Sequence, residues 1–146
     1  MDWVLEAPCD ILVPAARPDA ITARNADRIQ CKVILQGANT PVNKMTEYYL
    51  NNRRGIISLS DFIVNSGGII GCAVELAMKA DTEYKKKVEA EGVRLYIENL
   101  IGNTISKNVS QVLCQITTED GTDIFFREEA LALAKNRLVN PEDIWL

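Results

Sequence analysis

Three short apolar runs, Ile11-Leu12-Val13, Val33-Ile34-Leu35 and Ile56-Ile57, are continuous rather than alternating. A strand that reads this way is buried on both faces, as in a parallel sheet covered by helices. The runs place strands over Cys9–Val13, Lys32–Leu35 and Ile56–Leu59. Helical segments separate them. Ile21–Ile29 reads as a short helix with Thr22 as its N-cap, and Pro41–Arg53 as a second, with Pro41 in the first turn and Gly55 just past the end. The βαβα order predicts an α/β fold.

After Gly67-Gly68 the pattern becomes helical. Ile69, Ile70, Ala73, Val74, Ala77 and Met78 follow helical spacing. A long helical stretch is expected from Asp81 to Thr117, with Gly92 and Gly102 as candidate breaks. Glu119-Asp120-Gly121 reads as a turn, and Arg127–Leu138 as a closing amphipathic helix with Pro141 beyond it. Lys85-Lys86-Lys87 has acidic neighbours at Glu83 and Glu89, the pattern of a solvated helix face. The expected division is a sheet-bearing region over 1–80 and a helical C-terminal region over 81–146 packing on it.

Composition removes several classes of function. A chain of 146 residues with 47% apolar content is one globular domain in size. It contains no histidine, so Ser-His and Cys-His catalysis and His-ligated zinc cannot be built from it. A net charge of −4 speaks against a nucleic-acid clamp. The longest uncharged stretch, Phe62–Val74, is too short to cross a bilayer. No basic leader opens the sequence, so a cytoplasmic location is expected. Cysteines at 9, 31, 72 and 114 match no common zinc spacing. Each lies in or beside an apolar run, so four buried, reduced thiols are expected.

In an open parallel sheet, ligands bind at the C-terminal ends of the strands. Three segments fall there: Pro14-Ala15-Ala16, Gly37-Ala38-Asn39 and Asp61–Gly68. Their small side chains let backbone approach a ligand, and Asn39 and Asn65 offer carboxamides that bind hydroxyls or another carboxamide. On composition alone each asparagine reads first as a turn-former or helix cap that bonds its own backbone. Gly67-Gly68 reads either as a backbone anion or ring site or as a tight turn into a helix. Glu75 is a functional carboxylate or a partnered structural acid, and Cys72 a site residue or a core thiol.

Taken together these segments resemble the C-terminal nucleotide-binding domain of the glutamate, leucine, phenylalanine and valine dehydrogenases. The resemblance is carried by Cys9-Asp10-Ile11-Leu12-Val13-Pro14-Ala15-Ala16, by Ile21-Thr22 with Asn25-Ala26, and by Lys32-Val33-Ile34 leading to Gly37-Ala38-Asn39 and Pro41. Arg54-Gly55-Ile56, Asp61–Gly68 and Glu75 complete the series, while residues 77–146 match more loosely. It implies a partial Rossmann-like parallel sheet flanked by helices, from a family that oxidatively deaminates an L-amino acid to a 2-oxo acid with NAD or NADP. It further implies that Ala15, Ala16, Asn39 and Asn65 line the cofactor site, with Asn65 at the nicotinamide carboxamide, and that Ile69 and Cys72 meet the substrate side chain.

The family usually has alanine at Ser66, and its glutamate branch usually has serine at Cys72. Glu75-Leu76 looks like the apolar-substrate branch, while Gly37-Ala38-Asn39-Thr40-Pro41 looks like the glutamate branch, so the substrate stays open. No GxGxxG occurs. In the family that fingerprint and the domain bearing the catalytic lysine precede the segment matching Met1. No catalytic residue is therefore assigned here, and this chain is expected to show no turnover and weak or no NAD binding alone. The alternatives are a non-catalytic assembly or regulatory module that keeps the fold, and an unrelated α/β nucleotide-binding or interaction domain. Expected partners are a small amino acid substrate, neither nucleic acid nor membrane, and further copies of the chain or the missing N-terminal portion. The strand Cys9–Val13 would then be an unpaired apolar edge, through which self-association is expected.

Overall fold

A computed structural model describes residues 3–116 and 125–139. Strands β1 (Ile11–Leu12), β2 (Val33–Leu35) and β3 (Ile57–Leu59) form one parallel sheet in the order β1-β2-β3. Ile11 pairs with Val33 and Val33 with Ile57, so these three lie in one row. Leu12, Ile34 and Ser58 form the next row, facing the opposite side. Helices α1 (Lys44–Arg54), α2 (Asp61–Val64), α3 (Gly67–Ala80), α4 (Thr82–Glu91), α5 (Val93–Ile116) and α6 (Phe126–Val139) complete the described chain. The protein is α/β, a small parallel sheet flanked by helices with a helical C-terminal region.

Two apolar clusters hold the layers. On one face Leu12 and Ile34 pack with Ile21, Ala26, Ile29, Val42, Leu50 and Ile56. On the other, Leu59, Val33 and Leu35 pack with Ile63, Val112, Phe126 and Ala130 of α2, α5 and α6. Each fully buried aliphatic side chain contributes about 1.5–3 kcal/mol relative to exposure. The second cover is incomplete. Ile11 is 57% exposed, Val13 54% and Ile57 41%. The expectation of strands buried on both faces thus holds for Ile34 but fails for these three. The helices cover β2 and the end of β3, and leave β1 an exposed apolar edge strand.

The segment Ile21–Ile29 is not a helix. Only Ala26–Arg28 forms a single 3-10 turn. Ile21 is held extended, its N–H donating to Pro41 O at 2.9 Å in a one-residue bridge to Val42. The buried Asn25 side chain accepts from Thr22 N–H at 2.8 Å and donates to Ala20 O at 3.0 Å. Side-chain bonds of this kind offer backbone groups an alternative to helix. The same bridge holds Pro41 and Val42 extended. α1 therefore begins at Lys44, capped by Asn43, whose carboxamide oxygen accepts Thr46 N–H at 2.9 Å. Gly55, with φ of +63°, closes it as expected.

Of the two glycines expected to break the long helical stretch, Gly92 does so, with φ of +91°, between α4 and α5. Gly102 does not. Its cost of about 1 kcal/mol is outweighed by the packing of α5 through Val109 and Val112. The lysine run lies on α4 as a solvated face, with Lys86 pairing Glu83 at 2.8 Å and Lys85 reaching Glu89 at 3.7 Å. The expected turn at Glu119-Asp120-Gly121 and Pro141 lie outside the described residues. Among the described residues no helix is long and apolar enough to cross a membrane.

The expectation of four buried thiols fails, although all four are free. Cys9 and Cys72 are exposed at the sheet edge and on the outer face of α3, and Cys114 is exposed in the groove between α5 and α6. Only Cys31 packs against the core, and burial pushes its thiol up to about 11. At pH 8 its reactive thiolate is then about one part in a thousand. With iodoacetamide at that pH, Cys9, Cys72 and Cys114 are expected to alkylate first and Cys31 last. Peptide mass spectrometry over a time course checks the order.

Candidate functional site

The three strand-tip segments meet at one end of the sheet. Ala38 N–H donates to Pro14 O at 2.9 Å, joining the loop after β2 to the loop after β1. This closeness demands glycine at position 37. A Cβ there would lie 2.9 Å from Ala15 Cβ and 3.2 Å from Val13 Cγ1. The third segment joins through Asn65, which closes α2. Its Nδ2 donates to Ala38 O and to Asn39 Oδ1, each at 3.2 Å. Asn65 thus ends a helix with its backbone while its side chain links it to Asn39. Among the described residues no donor reaches Asn65 Oδ1, and the Asn39 side chain is exposed.

The result is an open ledge of small side chains and carboxamides. Ala15, Ala16 and Asn39 are exposed upon it, and Asn65 is half-buried at its back. α3 begins at Gly67, directly beyond. A Cβ at Gly67 would touch Ile101 of α5 at 3.4 Å, whereas Gly68 opens onto free space. Ile69, 77% exposed, and Cys72 lie one turn apart on the outer face of α3. Cys72 is therefore not the core thiol that its apolar run suggested. Glu75 follows on the same face and is exposed. A groove of about 590 Å³ between α5 and α6, lined in part by Gln111, Leu133 and Asn136, shares no residue with the ledge. No group of three or more Cys, Asp or Glu suited to a metal occurs among the described residues.

The sequence model of the Glutamate/Leucine/Phenylalanine/Valine dehydrogenase family matches residues 2–142. The chain belongs to this family. The NADP-specific glutamate dehydrogenase of Saccharolobus shibatae is 31% identical over 136 residues, 93% of this chain and 30% of that protein. The glutamate dehydrogenase of Aeropyrum pernix is 41% identical over 96 residues, 62% of this chain and 23% of that protein. The leucine dehydrogenase of Thermoactinomyces intermedius is 31% identical over 88 residues, 60% of this chain and 24% of that protein. The chain thus spans less than a third of the length of these relatives.

Behind the ledge of this dehydrogenase-family chain lies a polar cluster that its strand and helix patterns do not announce. Gln36, fully buried, follows β2. Its Nε2 donates to Ser58 Oγ at 2.9 Å and to Glu47 Oε1. Glu47, on α1, receives Arg127 of α6 through two bonds, at 2.5 Å and 2.9 Å. This arrangement holds the guanidinium above its ordinary pKa range, with the Glu47 hydrogen bonds the main cause. The only signal in the sequence is a glutamine next to an apolar run. Glu47 and Arg127 are far apart in the chain, and nothing local marks them as partners.

Proposed function

We propose that this chain is the C-terminal part of an NAD(P)-dependent amino acid dehydrogenase, and that its strand-tip ledge holds the nicotinamide end of the cofactor. The observation that carries the reading is the linked carboxamide pair. Asn65 is anchored by Nδ2 on the Gly37-Ala38-Asn39 loop and keeps Oδ1 unused, an acceptor matched to the N–H₂ of a nicotinamide carboxamide. The crowded Gly37–Ala15 contact keeps the ledge shallow, so a flat ring can approach backbone at Ala15 and Ala16. Glutamate dehydrogenases specific for NADP and for NAD stand among the relatives, which supports a nicotinamide cofactor.

In this reading the bound cofactor supplies the hydride acceptor. Asn65 and Asn39 fix which face of the ring turns outward. Ile69 and Cys72, on the outer face of α3, then meet the side chain of an L-amino acid held from the opposite side. Glutamate and leucine dehydrogenases both stand among the relatives, and an exposed Ile69 beside a thiol suits an apolar side chain at least as well as a carboxylate. This reading expects no turnover of an amino acid by the 146 residues alone, which carry no GxGxxG.

Nicotinamide mononucleotide tests the ledge without needing the rest of a dinucleotide site. Titrated into the ¹⁵N-labelled chain, it is expected to shift the amides of Ala15, Ala16, Asn39 and Asn65 in a weak, saturable manner. Asn65→Ala abolishes the response. Shifts confined to other surfaces, or none at millimolar ligand, overturn the assignment.

A further inference from the structure

The first turn of α6 reaches back to the ledge. Arg127 has a side chain only 18% exposed, bound in fork fashion to Glu47, with Nη2 also 3.6 Å from Asp61 Oδ1. The ring of Phe62 lies 5.6 Å from its guanidinium carbon. Asp61 opens α2, the helix that ends on Asn65. Its second oxygen, Oδ2, accepts the N–H of Thr40 at 2.8 Å. Thr40 has φ of +48°, a left-handed conformation costly for a β-branched residue. Such a residue persists only where its surroundings over-determine it. Here the carboxylate grips its N–H, and its carbonyl accepts Asp19 N–H at 3.1 Å.

We propose that Arg127 is a positioning residue for the Asn39–Asn65 corner. It acts through Asp61. The guanidinium orients the Asp61 carboxylate, the carboxylate holds Thr40 left-handed, and the left-handed Thr40 turns the neighbouring Asn39 carboxamide onto Asn65. Glu47 neutralises Arg127, so the cation can lie buried while one N–H still faces Asp61. The inference deepens the cofactor reading above, and its bearing on function rests on that reading.

Amide hydrogen exchange of the full chain separates positioning from plain support. The double variant E47M/R127M removes the buried pair together, at similar volume, which keeps the fold. Thr40 N–H is expected to exchange about tenfold faster in it, the size of one weakened charge-assisted bond, while Ile34 and Leu35 in β2 keep their protection. R127K, which retains the charge, restores Thr40 to within about threefold of the parent. D61A, should the double variant not fold, raises Thr40 exchange directly, and adding R127K to it raises it no further. Nicotinamide mononucleotide shifts at Asn39 shrink in step. If Thr40 exchange is unchanged, or rises only together with β2, Arg127 merely supports the fold and the proposal falls. A parent chain that shows no nicotinamide mononucleotide shifts defeats the cofactor reading alone, because the exchange comparison judges Arg127 without it.

Discussion

Replacing Glu47 by alanine is expected to destabilise the protein by about 3 kcal/mol, because it takes the fork-bound carboxylate from a largely buried cation and leaves it only Asp61 at 3.6 Å. That is a large part of the roughly 5–15 kcal/mol that holds a domain together. Glu47 has a side chain 8% exposed and Arg127 one 18% exposed, so the pair is screened far less than an exposed one. The carboxylate also satisfies Gln36 Nε2, which would be left without its second acceptor. Urea unfolding measures the loss. A paired change to methionine at positions 47 and 127 is expected to recover most of it, since two matched apolar side chains need no charge balance. A loss below about 1 kcal/mol for E47A would mean that the pair behaves like an exposed ion pair.

Gly37→Val is expected to cost about 2–3 kcal/mol, through overpacking and through the hydrogen bond that the overpacking breaks. The new Cβ would fall 2.9 Å from Ala15 Cβ and 3.3 Å from Ala15 Cα, and backbone must give way. The loops after β1 and β2 then separate, and the Ala38 N–H bond to Pro14 O goes with them. Urea midpoints give the cost. Adding Ala15→Gly, which removes the nearest atom, is expected to return part of the stability. Substitution at Gly68, where a Cβ meets nothing within 4 Å, provides the contrast with no steric penalty. Equal losses at positions 37 and 68 would show that the tight contact between the loops has no energetic weight.

Much of the architecture could be read from residue order. The runs at Leu12, Ile34 and Ile57 announce parallel strands, and Gly55 and Gly92 stop helices where their left-handed or open backbone is required. The errors share one cause. Thr22 and Pro41 look like helix starts when each is considered among its neighbours. They are not, because Ile21 bridges Val42 and holds both stretches extended. The cysteines sit in apolar surroundings along the chain, yet three of them face outward. Neighbours in sequence do not reveal which side of a helix, or which edge of a sheet, lacks a covering layer.

The ledge shows the same division. Small residues and asparagines at strand ends are local features, and their order along the chain was enough to mark Ala15, Asn39 and Asn65 as candidates. That Asn65 bonds to Ala38 and Asn39, that Gly37 is pressed against Ala15, and that Arg127 closes on Glu47 and Asp61 are long-range facts. Periodicity and capping act over a few residues, so a linear reading recovers strands, helices and their order. Charge pairing and steric contact act through space, between groups that the chain brings together only after the sheet has formed, so those relations became visible in the folded molecule alone.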